Sequence, residues 1–165
     1  MKYDKARCHH ILIVMKPLIV LIIVFIISLL VGYLIDQQWA LVFSGNLAMC
    51  VMLIFTAIGH FKFPKGMAMM IPVLIRYKEP IVFISGILEI ILGIALLFPA
   101  TRFYAGVLLV TMFILMLPAN ISAAIRHVNY EKATYDGPGP SYLYFRIPMQ
   151  LLLIGWVIYF AVFPI

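Results

Sequence analysis

From Ile11 to Ile35 the chain runs through apolar side chains almost without interruption, and Lys16 is the only charge in the stretch. At 1.5 Å per residue, a helix of this length crosses a hydrocarbon core of about 30 Å. It is apolar on every side, so it has no polar face to give to water. A chain of 165 residues has no interior large enough to bury it. The remainder repeats the pattern: 65% of residues are hydrophobic and 11% charged, against about half and a quarter in soluble domains. The fold expected is all-α and polytopic, with the bilayer as solvent.

The basic residues before Ile11 give the first span the look of a secretory leader. Its apolar stretch exceeds the usual ~7–15 residues, and Val31-Gly32-Tyr33-Leu34 supplies no small-x-small cleavage site. An uncleaved first helix is expected. Met15-Lys16-Pro17 is an alternative start, which would make residues 1–14 an upstream extension. Asp36-Gln37-Gln38-Trp39 forms a polar break, and a second span follows from about Ala40 to Gly59. Met67 to Ile75 is too short to cross and contains Pro72, so the segment 61–80 reads as interfacial or re-entrant. The third span covers about Ile81 to Phe98, with Pro99-Ala100-Thr101-Arg102 as a turn. The fourth covers about Phe103 to Ile125. A polar loop runs from Arg126 to Ser141 around Gly137-Pro138-Gly139-Pro140, and a fifth span starts near Arg146 and continues towards Ile165.

Five spans alternate the loops. With the N-terminus inside, eleven of the twelve Lys and Arg fall on the cytoplasmic side and only Arg102 outside. That asymmetry predicts N-in, C-out in a plasma membrane, the inner membrane of a bacterium. It also accounts for the net charge of +6 without nucleic acid, for which there is no basic run or RNA motif. Cys8 and Cys50 form no CxxC pair, and Cys8-His9-His10 lacks partner ligands at usable spacing. No metal site is expected. Asn120-Ile121-Ser122 matches a glycosylation sequon but lies within a span, and no P-loop, GxGxxG, CxxCH or HExxH occurs.

Polar residues inside spans carry the functional signal, because each needs a partner within the bundle. Glu89 is the sharpest of them. An acid near a helix centre costs on the order of 3 kcal/mol on insertion scales. Gly86, Gly93 and Ser85 share its neighbourhood, so a second helix can approach closely there. Burial favours a protonated Glu89 unless a cation lies nearby. Asn46, Thr56 and His60 form a stripe on the second span. Asn120, Ala124 and His127 form another on the fourth, near a kink at Pro118, and Arg146 and Gln150 lie one turn apart on the fifth. Glu89 and His60 are the candidate proton-transfer groups. His60, Glu89, Asn120, His127, Arg146 and Gln150 are the candidate ligand-binding set, expected to converge on a cytoplasm-facing vestibule with Glu89 at its floor. The bland alternative assigns Asn46, Asn120 and Gln150 to helix–helix hydrogen bonds and makes Arg126 and Arg146 membrane-edge anchors.

Several segments together resemble the DoxX-like family of small membrane proteins. They are Gly59-His60-Phe61, Met70-Ile71-Pro72, Gly86-Ile87-Leu88-Glu89, Gly93-Ile94-Ala95-Leu96-Leu97, Leu117-Pro118-Ala119-Asn120-Ile121 and Phe145-Arg146-Ile147-Pro148-Met149-Gln150. The likeness runs from about residue 45 onward. It implies a four-helix transmembrane bundle over residues 39–165, to which residues 1–38 add an extra N-terminal helix. One branch of that family is associated with thiosulfate:quinone oxidoreduction and others with oxidative-stress membrane complexes. The resemblance therefore implies a bound quinone, lipid or similar amphiphile and a membrane redox partner or homo-oligomer. It implies no catalytic residues. Two further readings stay open: a structural or assembly subunit without ligand, and a cofactor-free isomerase or hydrolase using Glu89.

Overall fold

The computed structural model describes residues 2–37, 39–72, 75–137 and 139–164, with side chains for all of these except 2–14 and Asp36. The Cys8, His9 and His10 side chains lie outside the described set, as do residues 73 and 74 of the segment read as interfacial. The described chain is helical, and its only β pairing is an isolated bridge between Asn129 and Thr134. The helices are α1 (Lys2–Asp36), α2 (Leu41–Lys62), α3 (Pro64–Met70), α4 (Lys78–Ala95), α5 (Pro99–Ile125) and α6 (Leu143–Val157). A 3-10 turn over Pro140–Tyr142 leads into α6, and a π-helical turn over Ile158–Val162 ends it.

Four stretches are long and apolar enough to cross a membrane: Met15–Ile35, Leu41–Lys62, Pro99–Ile125 and Pro140–Val162. α4 differs from these because its 18 residues include Lys78, Glu79 and Glu89. Short connections make neighbouring helices antiparallel. α2, α4, α5 and α6 close into a ring, with the end of α6 returning to α2. α1 stands outside the ring and rests chiefly on α2. Leu21 enters the common core, Phe25 meets the rings of Trp156 and Phe160, and the Ser28 hydroxyl donates to Ser44 at 2.9 Å. Outward faces of every long helix carry large apolar side chains, among them Ile26 and Leu30, Phe55 and Ile58, Ile84 and Ile91, Leu108 and Leu115, and Leu151. Water does not solvate so continuous an apolar belt, whereas a bilayer does.

Three boundaries differ from the sequence expectation. Pro99 to Arg102 open α5 instead of forming a turn, because Pro99 occupies the first helical turn, where its missing N–H costs nothing. The last spanning stretch begins at Pro140, before Arg146, which places Arg146 inside the helix and not at its mouth. α5 stops at Ile125, and His127 adopts a positive φ of 53°. The expected stripe from Asn120 through Ala124 therefore does not continue to His127.

At the end of the ring where α2 stops and α4 starts, α3 lies under the loop that follows α5. The Arg126 Nη2 donates to the carbonyls of Met69, Met70 and Ile71 at 2.5, 3.1 and 3.3 Å. It supplies donors to the carbonyls at the end of α3, where a helix runs out of its own amides. The side chain read as a membrane-edge anchor is thus a cap between segments far apart in sequence.

Candidate functional site

α2 and α4 run antiparallel in close contact because α4 offers glycines where α2 presses in. A Cβ on Gly86 would lie 2.8 Å from the His60 Cβ, and one on Gly93 would lie 3.4 Å from the Cys50 Cα. This register sets Thr56 opposite Glu89 and His60 opposite Ser85. His60 and Glu89 are both buried. The His60 Nε2 is 3.4 Å from the Glu89 Oε1, and the Thr56 hydroxyl is 3.1 Å from Oε2.

The hydrogen-bond inventory constrains the protons. The His60 Nδ1 lies 3.1 Å from the Val82 carbonyl and 3.0 Å from the Ser85 hydroxyl oxygen. A carbonyl only accepts, and the Ser85 hydroxyl is itself donated to Val82 at 2.8 Å. The contact with the carbonyl favours the tautomer that carries its hydrogen on Nδ1, and Nε2 then faces the Glu89 Oε1. Thr56 has one hydroxyl hydrogen and two oxygens within reach, the Leu53 carbonyl at 2.9 Å and Glu89. Ser85 and Thr56 complete a four-residue polar cluster that joins one helix to the other.

The second half of the site lies on α5 and α6. The Arg146 Nη2 donates to the Asn120 Oδ1 at 3.2 Å, and Nη1 to the Tyr142 hydroxyl at 3.2 Å. Its Nε is buried with no hydrogen-bond partner among the described residues. Among the described residues no carboxylate comes within ion-pair distance of Arg146. Gln150, one turn further on, is buried and donates to the Phe113 carbonyl of α5 at 2.7 Å.

His60 and Glu89 thus meet directly, Asn120 and Arg146 meet directly, and Gln150 braces α5 against α6. His127 stands apart. It is exposed, and its ring lies against Gly139, whose φ of +72° and absent Cβ leave room for it. Asn46, at the opposite end of α2, donates to the Phe160 carbonyl at 2.9 Å and ties α2 to the end of α6. Tyr142 was legible only as a residue four positions before Arg146. Among the described residues no group of three His, Cys, Asp or Glu is placed to hold a metal ion.

Tyr130 flanks the Arg146 side of the site, edge-on to the Phe63 ring at 6.2 Å between centroids. Burial pushes its phenol up to about 12, with Tyr142 and Glu131 adding to the effect. Since an unfolded tyrosine titrates near 10, the folded state holds the proton longer. The stability from this neutral phenol is complete below about pH 10 and is lost as pH rises through about 12. In a phenolate absorbance titration, the component that Tyr130→Phe removes is expected near pH 12. A component near 10 would place Tyr130 in water.

A family described as a domain of unknown function (DUF8561) matches residues 49–161, from within α2 to the π-helical turn, leaving α1 outside the match. No curated protein and no solved structure matches the chain.

Proposed function

The chain belongs to the DUF8561 family, and from that premise we propose that it is a five-span membrane protein that binds the polar head of a quinone, lipid or similar amphiphile. The observation that carries this reading is the charged Arg146 guanidinium, which among the described residues has no counter-ion and whose buried Nε has no hydrogen-bond partner among them. A buried donor left unsatisfied costs about 1–3 kcal/mol, and a carbonyl or phosphate oxygen from a ligand would supply the acceptor. Asn120, Tyr142 and Gln150 would orient that head group, and the Glu89–His60 pair would exchange a proton with it. With a quinone as the ligand, such a protein would serve a membrane redox partner as an accessory subunit, the quinone carrying the electrons.

Five spans are supported by the outward face of α4, where Ile84, Ile87, Leu88, Ile91 and Ile94 are exposed although the helix carries three charges. A cytoplasmic N-terminus in a bacterial inner membrane is supported by charge. Eleven of the twelve Lys and Arg belong to segments at the end where α2 stops and α4 begins. Arg102, which donates to the Leu96 carbonyl, is at the other end. The DoxX-like likeness belongs to the same proposal, since His60, Glu89, Asn120, Arg146 and Gln150 are the polar positions of its quoted segments.

One observation favours the assembly-subunit reading instead: Glu89, His60, Thr56 and Ser85 satisfy one another without a ligand. Native mass spectrometry of the purified protein, beside Arg146→Gln and Glu89→Gln, separates the two. An amphiphile near one per chain is expected in the parent, with affinity down roughly tenfold or more in Arg146→Gln, the loss of a charged hydrogen bond. Ligand-free spectra for all three proteins would leave the assembly-subunit reading. A turnover product lost only in Glu89→Gln would point to the isomerase or hydrolase.

A further inference from the structure

A second polar feature lies outside that site. α3, the connection to α4, the first turn of α4 and the end of α5 enclose a surface basin lined by Lys65, Arg76, Lys78 and Arg126. One acid, Glu79, shares the lining, and Tyr77 and Tyr135 stand on it as well. Two of the cations are held by the fold. The Arg126 Nη2 caps the end of α3, and the Lys78 ammonium donates one hydrogen to the Ile71 carbonyl at 3.2 Å. Lys65 and Arg76 are exposed and engage no hydrogen-bond or ion-pair partner among the described residues. Glu79 forms no ion pair with any of the four among those residues. Four positive charges against one negative thus converge on a concavity.

We propose that this basin binds the phosphate of an anionic membrane lipid. Concentrated positive charge calls for an anion, and phosphate oxygens accept from guanidinium and ammonium donors together. The surroundings distinguish a lipid from free phosphate. Tyr77 is largely exposed, an aromatic of the kind found at headgroup depth. One turn into α4, beyond Pro80 in the basin wall, the exposed side chains become Ile81, Ile84 and Leu88, a strip on which an acyl chain lies. The basin therefore joins a headgroup site to an apolar track, and a soluble anion would use only the first.

The test uses the full-length protein in neutral detergent, titrated separately with phosphatidylglycerol, phosphatidylcholine and inorganic phosphate, with bound species counted by native mass spectrometry. Beyond any amphiphile held at the Arg146 site, which Arg146→Gln identifies, one further phosphatidylglycerol is expected to bind, and neither phosphatidylcholine nor inorganic phosphate is. Each cation near a membrane surface is worth about fivefold, so Lys65→Gln with Arg76→Gln should weaken phosphatidylglycerol by roughly thirtyfold. Both side chains are exposed and hold no other described residue, so the double variant should fold normally. Lys132→Gln, which removes an exposed charge outside the basin, should leave this binding unchanged. Parent-like binding in the double variant, or an equal loss in Lys132→Gln, would remove the site. Inorganic phosphate binding as tightly as the lipid would overturn the lipid assignment.

Discussion

His60→Leu should destabilise the folded protein by about 3 kcal/mol, while the double replacement His60→Leu with Glu89→Leu should cost much less. The asymmetry follows from burial. With His60 gone, the Glu89 Oε1 faces an apolar side chain, and only the Thr56 hydroxyl remains to Oε2. Removing both partners replaces a polar pair with apolar contacts, which lipid-buried helices accept readily. Glu89→Leu alone should fall between, because the His60 Nδ1 keeps Val82 and Ser85 while Nε2 loses its partner. Unfolding in mixed micelles supplies the four stabilities of the cycle. A coupling energy of roughly 2 kcal/mol or more is expected for groups in direct contact. Strict additivity would show that the two side chains do not depend on one another.

The second large effect is expected at Gly66→Ala. A Cβ at this position falls directly on the Tyr130 carbonyl, with the rest of that peptide close behind. The obstacle is backbone, so no rotamer change relieves it. The loop after α5 must lift from α3, taking the Tyr130–Phe63 ring contact with it and straining the Arg126 cap. Overpacking usually costs 1–3 kcal/mol, and a clash with backbone belongs at or above the upper end, about 3 kcal/mol. Gly155→Ala is the matched control, because a Cβ on Gly155 meets nothing within 4 Å. It should be neutral or stabilising by roughly 0.5–1 kcal/mol, the usual gain of alanine over glycine in a helix. Equal behaviour of the two variants would mean that the loop is not seated on α3.

The Gly66 contact also marks where reading the residues in order stops being informative. Gly66 sits in a short polar segment with nothing to announce a backbone 64 positions later pressed against it. Glu89 was legible because its cost is local: an acid among apolar residues needs a partner wherever the helix packs. Gly86 and Gly93 on the same helix told which face the partner would approach, and the partner proved to be His60 on α2. Arg126 was misjudged for the opposite reason. An arginine at the end of an apolar run looks like an anchor, and only the position of α3 beneath it turns it into a cap.

His127 and Arg146 divide in the same way. Both are basic residues near the ends of apolar stretches. One left the cluster because α5 ends at Ile125 and the backbone turns through a positive φ, which no period of apolar residues foretells. The other entered it because the last spanning stretch starts at Pro140, a turn earlier than hydropathy indicates, drawing the guanidinium inward to Asn120 and Tyr142. Composition and hydropathy were enough for the all-helical fold and the four longest apolar helices, since these follow from what each segment does with its own solvent. Which polar groups meet, which guanidinium lacks an acceptor and which cations line one basin depend on register between helices. That register is set by a few contacts, such as α2 against Gly86 and the Tyr130 carbonyl over Gly66, between residues that the chain brings together only when it is folded.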